Sequence, residues 1–156
     1  LTPLGVIWAD DLKSKALVVR VNKYGSTYYE GGKYQGDYIT ANPKYLGAFT
    51  ILIDSIPPKI RALNVYQGKD LTHSKFIKVN IYDKLSGIAS FNGYIDGQWI
   101  LMEYEPKNAA LTFNFDDLKK YTPDIIGMGS KGTHKFVLEV TDNRGNISKL
   151  AIDFLR

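Results

Sequence analysis

The sequence predicts an all-β protein in two unequal parts. Short runs alternate apolar with polar residues, tyrosines and β-branched residues are abundant, and one Pro-Pro pair divides the chain near residue 57. Alternation with period two places successive side chains on opposite faces of a strand, so a run with one polar face reads as half-buried sheet. In "FIKVNIYD", Ile77, Val79 and Ile81 share one side, while Lys78 and Asn80 share the other. "KFVLEVTD" repeats the pattern with Phe136, Leu138 and Val140. The runs "ALVVRVN", "AFTILID" and "LAIDFL" have the same composition.

Bulk properties narrow the class. The chain has 156 residues, enough for one domain or for one domain with a small companion. Its net charge of +4 is dispersed, and the longest basic run is Lys119-Lys120. Nucleic-acid binding would require clustering on one face, so it is not expected. There are no cysteines, which excludes disulfides, thiolate metal sites and thiol nucleophiles. No stretch approaches the apolar length of a membrane span. The opening "LTPLGVIWADDL" lacks the basic region and cleavage site of a signal peptide. The chain starts at Leu1 rather than Met, which reads as a piece of a longer protein.

Taken in order, residues 1–56 read as a small β module carrying the runs at 16–22 and 48–54, close to the lower size limit for independent folding, and expected either to pack on the second unit or to be truncated upstream. "DSIPPKI" follows; two prolines cannot donate ladder hydrogen bonds, so they interrupt a sheet. Beyond them, seven strands are expected at 60–66, 75–83, 88–95, 99–104, 110–115, 134–142 and 147–154. Seven short strands in about a hundred residues is the pattern of an immunoglobulin-like β-sandwich, here over 57–156. The only helical signal is "FDDLKKYTPDII": Asp116 can cap, Asp117 suits the first turn, Lys119 and Lys120 suit the last, and Pro123 stops it. One or two turns are expected near 116–121, then a "GMGSKG" loop at 127–132.

The turns carry the most specific signals. "YDKLSGI" leaves a strand at Asp83 and turns at Ser86-Gly87. Asp96-Gly97 is a two-residue hairpin signal flanked by apolar residues; Asn92-Gly93 competes with it and would shift the register. Asp142-Asn143-Arg144-Gly145-Asn146 separates two alternating runs. Asp142 and Asn146 can bond backbone amides, and Gly145 takes positive φ cheaply. Calcium would need six to eight oxygens; this loop has one carboxylate and no EF-hand spacing, so it reads as a turn.

"VNIYDKLSGI", "YIDGQW" and "GTHKFVLEVTDNRGN", in this order, resemble bacterial immunoglobulin-like repeats of envelope proteins. The resemblance rests on Asp83, Ser86-Gly87, Asp96-Gly97, Gly132, His134, Asp142 and Gly145-Asn146, with "DSIPPKI" as the usual opening of such a repeat. "GGKYQGDYITANPKYLGAFTILIDSIPPKI", followed by "IDGQWILMEYE", resembles the C-terminal non-catalytic region of some Bacteroidetes cell-envelope proteins whose N-terminal domain is a lysostaphin-type murein metallopeptidase. That family carries zinc on His-x-x-x-Asp and His-x-His elements, and neither occurs here. The resemblance therefore implies an accessory, non-catalytic module in a periplasmic, envelope-bound or secreted protein. Its partner would be peptidoglycan, another glycan or the catalytic domain of the same chain. No cofactor or metal is expected.

Candidate chemistry in the residues themselves is sparse. His73 and His134 have no partner at ligand spacing, and no Gly-x-Ser-x-Gly pattern joins Ser, His and Asp. His134 reads as a corner anchor of the sixth sandwich strand. Glu103 and Glu105 share a strand side, as a glycosidase pair could, but an exposed strand more often turns such a pair to solvent. The remaining signal is aromatic. Tyr28, Tyr29, Tyr34 and Tyr38, with Trp99, could stack on sugar rings; the competing reading is that they cover a small sandwich or seal the two modules together. An adhesion or assembly module, using an apolar or edge-strand patch, is the third possibility.

Overall fold

The computed structural model describes residues 9–36, 38–117 and 132–156. Its strands are β1 (Ala16–Val21), β2 (Thr27–Tyr29), β3 (Lys33–Gln35), β4 (Tyr38–Thr40), β5 (Ala48–Ile53), β6 (Lys59–Ala62), β7 (Lys69–Asp70), β8 (Phe76–Tyr82), β9 (Ile88–Ile95), β10 (Gln98–Ile100), β11 (Glu103–Glu105), β12 (Ala110–Asn114), β13 (Thr133–Asp142) and β14 (Ile147–Leu155). The protein is all-β. One sheet runs β10-β9-β13-β14-β7 and a second runs β11-β12-β8-β6. Upstream lie a three-stranded sheet, β2-β1-β5, and the separate hairpin β3-β4. Among the described residues, no strand pairing crosses from residues 16–53 to residues 59–155.

The two larger sheets form a sandwich whose filling is the set of residues picked out by the period-two pattern. Ile77, Val79, Ile81, Phe136, Leu138 and Phe154 have no solvent exposure, and Phe113 and Phe115 join them. The β7 pairing with β14 is parallel, while the neighbouring pairs are antiparallel. Among the described residues the sandwich has nine strands rather than the seven expected, because one expected strand splits between the sheets and one short strand forms outside the expected runs. The run at 60–66 gives β6 in the four-stranded sheet, and β7, beyond that run and not expected from the sequence, joins the five-stranded one. The run at 99–104 gives β10 and β11 on opposite sheets, with buried Met102 at the crossing. A sheet closes its edges with short strands of this kind more easily than with one long strand.

The hairpin between β9 and β10 turns at Asp96-Gly97, with φ of 50° and 80°. Positive φ at both central residues is the primed turn that matches strand twist. Gly93 sits instead inside β9, where a Cβ would lie 2.7 Å from the Met102 sulfur. The glycine is there to let the crossing chain pass.

Helix is scarce but not where it was expected. The helix α1 (Asp10–Lys15) precedes β1, and the sequence reading missed it. Its acidic first turn and basic last turn suit the helix dipole, and Lys13 Nζ bonds Asp10 at 2.8 Å. That hydrogen bond, and then the lysine charge, lowers the Asp10 pKa. Of the helix expected at 116–121, a single 3-10 turn is seen at Phe115–Asp117; residues 118–131 lie outside the described residues, as does most of the 127–132 loop.

In the upstream part, Ala16 and Val18 of β1 face Ile39 of β4 and form a small second core with Tyr34, Phe49, Ile51 and Ile53. Glu30 and Gly31 both stand opposite Val18: the Glu30 amide bonds the Val18 carbonyl and the Val18 amide bonds the Gly31 carbonyl. Two residues against one is a β-bulge, and it turns the chain away from β1 toward the hairpin.

Candidate functional site

Three turns from separate parts of the chain meet where the small module joins the sandwich. Asp54 follows β5, Asp83 follows β8, and Asp142 ends β13. Carboxylate oxygens of all three lie within 4.8 Å of one another. Asp54 and Asp142 are 2% and 1% exposed. Three like charges so close, and so dry, need compensation.

The compensation comes from N–H groups. Asp83 Oδ1 accepts the amides of Leu85 (3.0 Å), Ser86 (2.8 Å) and Gly87 (2.7 Å). Asp142 Oδ1 accepts the amides of Arg144 (2.7 Å) and Asn146 (2.9 Å), and Oδ2 accepts Asn146 Nδ2 (2.7 Å). Asp54 accepts the amides of Ser86 (3.1 Å) and Ile56 (3.3 Å). The turns are also tied to each other. Asn146 Nδ2 donates to the Asp54 carbonyl at 2.8 Å, and the Asn143 side chain and amide donate to the carbonyls of Ser86 and Gly87. Donors that point at a carboxylate do what a cation would otherwise do. They engage both oxygens of Asp54 and Asp142 and one of Asp83. With five of the six carboxylate oxygens already accepting N–H groups, the cluster fits a hydrogen-bonded hub better than a metal centre.

Arg144 extends this hub into the small module. Its backbone sits on the Asp142 turn, and its guanidinium reaches the edge of β1. Nη1 donates to the carbonyls of Ala16 and Gly32, both at 2.9 Å, and Nη2 donates to the Tyr29 hydroxyl at 2.7 Å. Lys15 Nζ returns a bond to the Arg144 carbonyl at 2.8 Å. A planar fork of donors is suited to bridging two carbonyls in this way. Gly32 is held tightly at the same place: a Cβ there would lie 3.0 Å from the Val18 nitrogen, at a φ of 131°. The sequence reading placed Arg144 only inside a turn. No local pattern could reveal that its side chain spans 112 and 128 residues of chain to its two carbonyl partners. Beside the hub lies a groove of about 440 Å³, lined by Leu52, Ile53, Ile56, Pro57, Tyr82 and Leu85 among others.

The other singled-out residues are dispersed. Asp96 accepts His134 Nδ1 at 2.6 Å and the Lys135 amide at 2.7 Å, so it anchors the start of β13 to the hairpin beside it. His134 is buried against Phe154, and its Nε2 has no partner among the described residues. His73 is exposed. Glu103 and Glu105 are exposed on β11. Gly97, Gly87 and Gly145 occupy positive φ in their turns.

The aromatic candidates are spread over β2, the β3-β4 hairpin and β10. Tyr28 and Tyr29 are adjacent in β2 and point to opposite faces. Tyr28 lies under the Arg20 guanidinium, 4.6 Å from ring centre to Cζ, and Tyr29 is bonded to Arg144. Tyr34 packs on the small core. Tyr38 is exposed on the hairpin, and Trp99 is half-exposed on β10 of the sandwich.

With this geometry in view, a family described as the Zu5-like domain matches residues 8–54, which is the upstream sheet and hairpin and less than half of the chain. No curated protein matches the chain. The upstream module is therefore similar to a Zu5-like domain, and the sandwich stands on its own geometry.

Proposed function

We propose that this chain is a non-catalytic positioning module: two β units locked together so that whatever flanks them is held at a fixed distance and angle. One observation carries the reading. The buried polar groups of the junction are spent on joining turns, and Arg144 fastens the sandwich to β1 through two carbonyls and a hydroxyl. A site for chemistry would leave a nucleophile or base free in a pocket. Here the carboxylates of Asp54, Asp83 and Asp142 accept amides. The resemblance of "VNIYDKLSGI" and "GTHKFVLEVTDNRGN" to envelope repeats supports a setting in a bacterial envelope or secreted protein, where such a unit would position a peptidoglycan peptidase domain.

Carbohydrate binding is the second reading, favoured by the exposure of Tyr38 and Trp99. It is weaker because stacking needs rings on one platform. The two readings separate in a retention assay on insoluble peptidoglycan and a glycan panel, with and without EDTA. Positioning predicts no retention under either condition and no release of muropeptides. Retention abolished by Tyr38→Ala or Trp99→Ala would replace it with glycan binding, and EDTA-sensitive retention would revive a metal role for the aspartates.

A further inference from the structure

The upstream sheet has an open side. In the order β2-β1-β5, strand β5 is an edge. The Asp54 amide bonds the Lys15 carbonyl at 3.0 Å, which sets the phase of the β1–β5 ladder. Asp54, Leu52, Thr50 and Ala48 therefore turn their N–H and C=O groups toward β1, and Phe49, Ile51 and Ile53 turn theirs outward. Among the described residues, nothing bonds those three outward amides and three outward carbonyls. The strand "AFTILI" has six residues, with no charge and no proline. Proteins usually blunt a free edge with lysine, proline, a bulge or a covering loop, and β5 itself carries none of the first three.

We propose that the chain self-associates through this edge, two copies pairing antiparallel about a twofold axis at Ile51. In that register Phe49 lies opposite Ile53 of the second copy, and Ile51 opposite its own counterpart. All the outward groups are then satisfied by six interchain hydrogen bonds. The two three-stranded sheets become one six-stranded sheet. No like charges meet along the strand, because it has none. The apolar sides of Phe49, Ile51 and Ile53, already packed on the small core, become continuous between copies.

A second feature supports the same pairing. Antiparallel pairing sets the start of each β5 beside the end of the other, so the segment carrying Leu46 comes beside the segment carrying Ile56 and Pro57 of the second copy. Leu46 and Ile56 are 99% and 69% exposed, above every other aliphatic residue among the exposed large hydrophobics. Ile56 and Pro57 line the groove beside the hub. Leu46 is thus an exposed knob, delivered by the pairing to an apolar wall. A foreign strand could use the open edge, but only a second copy makes both of these outliers partners.

Sedimentation equilibrium on the whole chain tests this. Wild type should show a reversible monomer–dimer equilibrium. Leu46→Lys should weaken it by about a hundredfold, since the symmetry presents the lost contact twice. Ile56→Glu alone should weaken it similarly. The double variant Leu46→Lys/Ile56→Glu should recover most of the affinity, because each lysine then meets a glutamate across the axis. Both positions are so exposed that the fold should be unaffected, and circular dichroism checks this. A monomer at every concentration overturns the proposal. So does a dimer indifferent to Leu46→Lys, or a double variant no tighter than the singles.

Discussion

Replacing Arg144 by alanine removes the side chain that joins the two β units. Three hydrogen bonds from a charged donor are lost, to Ala16, Gly32 and Tyr29. Such bonds contribute about 1.5–3 kcal/mol each. Two terms reduce the sum. Ordering an arginine costs about 2 kcal/mol of side-chain entropy, and the buried Nε has no partner, at a cost of about 1–3 kcal/mol that the substitution relieves. Taking the middle of each range, the net loss is about 3 kcal/mol, and it falls on the small module rather than on the sandwich. Amide hydrogen exchange reads this directly. The Val18 amide, bonded to Gly31 at 2.8 Å, should lose protection by roughly 30- to 1000-fold. The Val79 amide in the sandwich core should change little. Arg144→Lys should behave like alanine, because one ammonium does not reproduce the fork. Equal loss of protection in both units, or none in either, would refute the assignment of Arg144 as the fastening.

Other consequences follow from single residues. Gly93→Ala should destabilise the sandwich by about 1–3 kcal/mol through overpacking against Met102, and Met102→Ala in the same chain should recover part of that in a urea melt. Asp96→Ala strands the buried His134 Nδ1 and the Lys135 amide, so it should cost about 2–4 kcal/mol; Asp96→Asn, which still accepts from the amide, should cost less. Adding calcium or EDTA should leave the thermal midpoint unchanged, since amides already compensate Asp54, Asp83 and Asp142; a calcium-dependent rise would identify the hub as a metal site.

The sandwich was legible because its strands obey a local rule. Ile77, Val79 and Ile81 alternate with polar neighbours, and alternation survives whatever else surrounds the strand. The Asp96-Gly97 turn was legible for the same reason: positive φ is a demand on two residues alone. Splitting of the run at 99–104, and the short β7 beyond the run at 60–66, were not, because changing sheets depends on what packs opposite. Helix α1 escaped because six residues hold no full amphipathic repeat. The hub was half visible. Asp83 and Asp142 were read as separate turns, and nothing in either turn announces that they meet each other and Asp54. Arg144 was hidden entirely, since its partners are backbone carbonyls, which leave no mark on sequence. The tyrosines show the converse. Their crowding between residues 24 and 45 is plain in the sequence, yet alternation in β2 and burial of Tyr34 send them to different surfaces.

A positioning role requires rigidity between the two units, and ¹⁵N relaxation of the wild-type chain measures it most directly. Amides of β1 and β5 should report the same rotational correlation time as those of β8 and β13. Self-association would lengthen both together and leave the comparison intact. A distinctly shorter time for β1 and β5 would mean that the small module tumbles on a loose tether, and a positioning role would be contradicted.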